Sequence, residues 1–317
     1  IVPKLGLLDT TCTIIYNAAG NQLIQANSYG NITIGGSSAR TVTLESGVIS
    51  CYGVFNPEAT NCTYITNGNT FVFNRLKSQN IPAFVFNNLH TEMGGTKTLT
   101  GEVTVNRLLR IGAITKLNAS DKILNLTGAG TVIVEAGKFI PGTSTVNYTS
   151  ASSAVVAGMD YYNLNTSGGN RVLVQDSLIN IAHTFTPGAG SFTITKSKVR
   201  FNGNVAQTIP AFTFNDLIIA NTNGGVTLGG EVLVGRNFIL EDGIVTTTET
   251  NLLTVTNTAV NAVSQGKTTS FVNGPFKRSL PSSLNGESYD EYVFPVGKST
   301  TFLPFKINSV TTSSNPS

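Results

Sequence analysis

The stretch SQNIPAFVFNNL, residues 78–89, returns as AQTIPAFTFNDL at 206–217, with eight of twelve positions identical at an offset of 128. The match extends both ways. Upstream, FNPEA (55–59) is similar to FTPGA (185–189), and FVFN (71–74) to VRFN (199–202). Downstream, TLTGEVTV (98–105) matches TLGGEVLV (227–234), each after a glycine pair, Gly94-Gly95 and Gly224-Gly225. A chain that spells about 130 residues twice must close the same local structure twice, which is the signature of a repeat architecture.

A shorter mark lies inside the duplication: an aromatic residue, any residue, Asn or Asp, then an aliphatic. It occurs at Tyr29–Ile32, Phe86–Leu89, Tyr161–Leu164 and Phe214–Leu217. Two unlike sub-units therefore alternate, and the super-repeats span about 17–148 and 149–270. Between these marks run short alternating segments such as NITI, TVTL, EVTV, TVIV, SFTI and EVLV. Period-two alternation marks strands with one buried face. NG, GG, SGG and PGAG supply turns between them, and no run of ten or more residues reads as helix.

The expected fold is all-β: a parallel β-helix or solenoid over residues 1–270, built from the two super-repeats. Tandem β-sandwich domains are the alternative. Coils of roughly 20–30 residues would make about a dozen rungs and a rod roughly 60 Å long. Asn31, Asn88, Asn163 and Asp216 are expected at left-handed turns, which Asn and Asp tolerate, with the next aliphatic pointing inward. Residues 271–317 carry longer strands and more aromatic and charged residues. They are read as an atypical β cap or as the start of a following β domain.

Composition narrows the function classes. Charged residues are 12% of the chain and the net charge is +3, with no Lys/Arg run, which argues against nucleic acid and anionic membrane as partners. No apolar segment approaches the roughly 20 residues of a membrane-spanning helix. The start, IVPKLGLLDTTCT, lacks the regions of a signal peptide, so a mature or trimmed chain and a cytosolic one fit equally.

The duplication acts as an internal control: residues present in both copies build, and a binding residue should stand where its counterpart differs. Glu102 and Glu231 recur together and read as surface or turn residues. Asp176 matches Glu45, and Glu241-Asp242-Gly243 lacks the spacing of a calcium loop. His90 and His183 fall in different sub-unit positions, and no His or Cys spacing suits zinc. No catalytic residue, metal ligand or cofactor site is expected.

Three cysteines do not make a disulfide scaffold. Cys51 and Cys62 correspond to Ile181 and Phe192 and read as small buried hydrophobes, with a Cys51–Cys62 disulfide as the alternative. Cys12 matches Ser144, a tolerant position. Glu287, Asp290 and Glu291, beside Lys277 and Arg278, form the densest charge cluster. It is read as a solvated hairpin, with a cation or partner patch as the alternative. The chain has 17 Phe, 9 Tyr and no Trp, which argues mildly against a carbohydrate-binding aromatic platform, since such platforms often use Trp. Phe84/Phe212 and Phe86/Phe214 are expected as core stacks.

Units reading QxIPAFxFNNL, then GG, then TLTGEVTV, closed by GPFKRSL…YVFPVGK…FLPFKI over 274–307, resemble the β-strand repeats of very large Bacteroidota surface proteins. Those proteins are exported by the type 9 secretion system, and many are adhesins or gliding-motility adhesins. The resemblance covers about 15–307. It implies a non-enzymatic rod or adhesive segment at the cell surface, with a surface glycan or protein as ligand. Two other readings remain: a glycan-binding or polysaccharide-degrading β-helix, and an export substrate bound to secretion or gliding machinery. The chain stops at TTSSNPS without the sorting domain usual in that group, which reads as one portion of a longer polypeptide. The group's O-glycosylation pattern matches Asp9-Thr10-Thr11 and Asp176-Ser177-Leu178, making Thr10 and Ser177 candidate acceptors.

Overall fold

The computed structural model describes residues 9, 11–57, 60–66, 68–134, 137–284, 290–309 and 311. The described chain is all-β and winds as a parallel β-solenoid of about 14 turns. It divides into two compact units, Ile1–Val156 with Thr166–Arg171, and Ala157–Asn165 with Val172–Ser317.

In the first unit the principal sheet stacks Gly47–Cys51, Asn69–Asn74, Phe84–Glu92, Val103–Ile111, Ile123–Leu126 and Thr145–Tyr148 as parallel neighbours. Phe84 pairs with Val103, Val103 with Leu124, and Leu124 with Val146. Each coil thus consumes 19 to 22 residues. The alternation read from the sequence becomes vertical columns, such as Phe86, Val105, Leu126 and Tyr148, all in register and buried. A second sheet runs through Gln79–Ile81, Thr96–Leu99, Lys116–Asn118 and Lys138–Ile140.

The second unit repeats this plan. Phe212 pairs with Val232, Val232 with Leu253, and Leu253 with Phe276. Its last strands break the pattern: Tyr292–Phe294 pairs antiparallel with Phe305–Ile307, and Val296–Lys298 with Thr301–Phe302. Antiparallel pairing turns the chain back on itself there, while Val296–Lys298 still extends the parallel ladder from Val272–Asn273.

The aromatic–x–Asn/Asp–aliphatic mark has a different job from the expected one. None of Asn31, Asn88, Asn163 and Asp216 is at positive φ, and all four lie within strands. At Phe86–Asn88 and Phe214–Asp216 the ladder shifts register, so the coil turns its corner by a β-bulge that keeps the strand running. A bulge needs no left-handed residue. The amide serves instead as a bridge between coils: Asn88 donates to the Asn69 carbonyl at 2.9 Å and Asn31 to the Cys12 carbonyl at 3.2 Å. At Asp216, which cannot donate, its neighbour Asn215 reaches the Ser197 carbonyl at 3.3 Å.

The cysteines are free thiols. Cys51 is buried as expected, whereas Cys62 is only half-buried. Cys51 pairs with Phe73 and Cys62 with Arg40, in different sheets.

Candidate functional site

The residues that hold the coils together come first. Gln79 and Gln207, the first shared letter of the duplicated motif, are buried and clip the carbonyls of the preceding coil. Gln79 Nε2 donates to Cys51 and Gly53, at 3.0 and 2.9 Å. Gln207 Nε2 donates to Ile181 and His183, at 3.0 and 3.1 Å. Arg40 and Arg171, matched at an offset of 131, are buried guanidiniums that serve backbone carbonyls rather than carboxylates. Arg171 donates to Tyr148, Ser150, Ser152, Ser167 and Asn170, and Arg40 to Gly35, Gly36 and Ser38. Gly36 and Gly168, at φ +94° and +92°, shape the turns they fill. Sequence reasoning passed over this pair; the signal was an arginine at matched positions shortly after a glycine-containing turn.

The candidates drawn from the sequence lie apart or are satisfied. Thr10 and Glu287 fall outside the described residues. Ser177 is half-buried, and its hydroxyl lies where a Cβ on Gly158 would stand. Asp290 and Glu291 are exposed, and Glu291 pairs with Lys306 at 2.5 Å. Arg278 does not join them at the surface. It is buried, donates to Ala259, Val260 and Val293 carbonyls, and lies 5.0 Å from the Tyr292 ring centre.

Glu102 and Glu231 are exposed at strand starts. Glu241 pairs with Arg200 at 2.5 Å, and Asp242 accepts the Gly243 N–H at 3.0 Å. His183 stacks on Tyr162 at 4.8 Å and shares its Nδ1 with Asn163 at 2.9 Å. His90 is half-buried in Phe84–Glu92. Among the described residues no group of His, Cys, Asp and Glu is placed to hold a metal.

A groove in the first unit stands out by its charge and by its divergence. Coil spacing brings Asn31, Tyr52 and Asn74 into one line, and the turn Arg75–Leu76–Lys77 with Met93 forms its rim, around a volume of about 480 Å³. Asn74 donates to the Tyr52 hydroxyl at 3.1 Å. A Cβ at Gly53 would overlap Asn31 Oδ1, so the floor requires glycine there. Arg75, Leu76 and Lys77 are exposed, and neither cation forms an ion pair among the described residues. Met93 holds φ at +62°, whereas its counterpart turn closes with only Gly224 and Gly225 left-handed. A bulky residue in that region costs about 1–2 kcal/mol.

Lys97 fixes the rim from beneath. Fully buried, its ammonium donates to the carbonyls of Arg75, Lys77 and Gly94. Burial, with repulsion from Arg75, pulls its pKa down to about 8. Burial pushes the Cys51 thiol up to about 11.

Unfolded, the two groups titrate near ~10.4 and ~8.5. The buried lysine therefore costs stability below its folded pKa, and that cost fades as the pH rises. The buried thiol contributes stability that is lost over nearly the same window. From about pH 8 to 10 the unfolding free energy of Cys51→Val is expected to rise, and that of Lys97→Met to fall, by about 1–2 kcal/mol each. Denaturant titrations at the two pH values read this directly, and equal slopes in both variants would contradict it.

The groove holds cations, a phenol and amides, which can bind anions and polar rings. Compared with family models, characterised proteins and solved structures, the chain matches none of them.

Proposed function

We propose that this chain is a non-enzymatic structural and adhesive segment of a large bacterial surface protein secreted through the type 9 system. The observation that supports this reading most is the division between repeated and diverged residues. Recurrent side chains such as Gln79/Gln207 and Arg171 spend donors on neighbouring coils, and Arg40 divides its donors between its own turn and Gln22 of the coil before. A coil stack whose backbone groups are mutually paired resists opening and can hold a binding surface away from the cell. Antibodies raised against the chain should label intact cells of the source bacterium, and brief protease treatment of those cells should remove the label. Label confined to permeabilised cells would refute the reading. A second reading, a glycan-binding β-helix, is favoured by the cationic groove of the first unit.

A further inference from the structure

Matching the two units at offsets of 128–132 separates the groove's frame from its contacts. Asn31 and Asn74 recur as Asn163 and Asn202. Tyr52, Arg75, Leu76, Lys77 and Met93 do not: their counterparts are Ala182, Gly203, Asn204, Val205 and Asn223. The first copy thus carries an aromatic ring, two cations and an exposed apolar rim beside the two shared asparagines, and its floor glycine Gly53 stands where the second copy has His183.

We propose that this groove binds an anionic polysaccharide, with Arg75 and Lys77 taking its acidic groups and Tyr52 offering a ring face and hydroxyl to a sugar. The inference rests on the adhesive reading above and names its ligand class. Charge favours it. Two carboxylates among the described residues are engaged elsewhere: Asp9 accepts from the Thr11 N–H and hydroxyl, at 2.7 and 2.6 Å, and Glu92 pairs with Arg110 at 3.2 Å. The lining contains no acidic residue, and among the described residues neither cation has a carboxylate partner.

Backbone chemistry disfavours an acidic peptide. An extended peptide docks by adding to an open edge, yet the N–H groups of Tyr52 and Gly53 already pair with the Tyr29 and Gly30 carbonyls, at 2.9 and 2.6 Å. Recognition must come through side chains, as it does for sugars. The volume of about 480 Å³ suits a short run of sugar units within the usual ligand-pocket range. The lack of Trp argues mildly against an aromatic platform, whereas one Tyr beside two cations suits a charged ring. Met93, exposed at φ +62°, keeps an apolar rim where its counterpart is Asn223, and backbone strain of that kind concentrates at ligand clamps.

The test titrates the full chain with polygalacturonate and with dextran sulfate, which separate carboxylate from sulfate ligands. Neutral dextran and polyglutamate are the controls. Saturable binding to at least one acidic polysaccharide is expected, with neither control matching it. The double variant Arg75→Ala/Lys77→Ala and the single variant Tyr52→Ala should each weaken binding by about tenfold or more. Arg107→Ala, an exposed cation outside the groove, should leave it unchanged. The inference is overturned by failure to bind either acidic polysaccharide, by polyglutamate binding as well as they do, or by indifference to the groove variants. Surface labelling of cells with no polysaccharide binding would remove this ligand while leaving the adhesive reading intact. Loss of surface labelling would remove that reading whatever the chain binds.

Discussion

Arg171→Met is expected to lower the unfolding free energy by about 3–5 kcal/mol, the range for stripping the partner from buried polar groups. Arg171 is 0% exposed, so its charge was taken wholly out of water. It is compensated by five carbonyls, including those of Tyr148 and Ser150 at 2.8 and 3.0 Å. Burial lowers its pKa, yet a guanidinium stays protonated and keeps all its donors. Methionine fills similar space but removes all five donated bonds; the Ser150 and Asn170 carbonyls keep the N–H groups of Gly169 and Ala154, and the remaining carbonyls lose the donor that joins the two stacked turns. A Cβ on Gly168 would stand 2.6 Å from the Ser150 oxygen and 3.0 Å from the guanidinium, so the turn has little room to relax. Arg171→Lys, with one nitrogen in place of a planar fork, should cost about half as much. Urea denaturation followed by circular dichroism reads both values, and a loss below about 1 kcal/mol for Met would show the carbonyls finding other partners.

Phe86→Ala should cost a similar amount, about 3–5 kcal/mol. The ring is 0% exposed and touches four others: Phe84 at 4.9 Å, Phe71 at 5.5 Å, Phe73 at 6.1 Å and Phe55 at 6.4 Å. Phe84 shares its strand, while Phe71, Phe73 and Phe55 come from two others, so none can move into the gap without leaving its own place in the ladder. Val85→Thr, adjacent but pointing outward and matched by Thr213, should lie within about 0.5 kcal/mol of wild type. Equal effects at the two positions would mean that the alternation of faces along this strand is wrong.

The parts of the fold that depend on period two were legible in the sequence. Segments such as NITI and EVTV bury every second residue, and the duplicated motif marks the same coil position in both units. After residue 270 the sequence texture suggests longer strands, yet the described strands there have two or three residues, Val272–Asn273 and Phe276–Arg278 continue the parallel ladders, and only the last pairs run antiparallel. The corner residues were not legible either. Asn88 reads as a turn former because local propensity favours that use, while its partner, the Asn69 carbonyl, comes from the previous coil. Arg278 read as part of a solvated charge cluster, and Arg171 drew no reading, because burial of a cation is normally forbidden. Here turns stacked by the winding supply enough carbonyls to permit it.

The groove was hidden for the same reason. Asn31, Tyr52 and Asn74 are neighbours only once coils of 21 and 22 residues are stacked. The divergence at Tyr52, Arg75 and Lys77 was present in the aligned copies, but it meant nothing until those positions shared one wall.

The division between residues that build and residues that bind is tested most directly by giving the first unit the second unit's groove. In Tyr52→Ala/Arg75→Gly/Leu76→Asn/Lys77→Val/Met93→Asn the frame residues Asn31, Gln79 and Lys97 are kept. Five substitutions in a fold of this size would ordinarily sum to a substantial loss. Here asparagine at residue 93 relieves the left-handed strain, and the other four side chains are exposed or half-buried. An unfolding free energy within about 1 kcal/mol of wild type is the expected result. A loss of several kcal/mol would show that these side chains hold the coils, contradicting their assignment to binding.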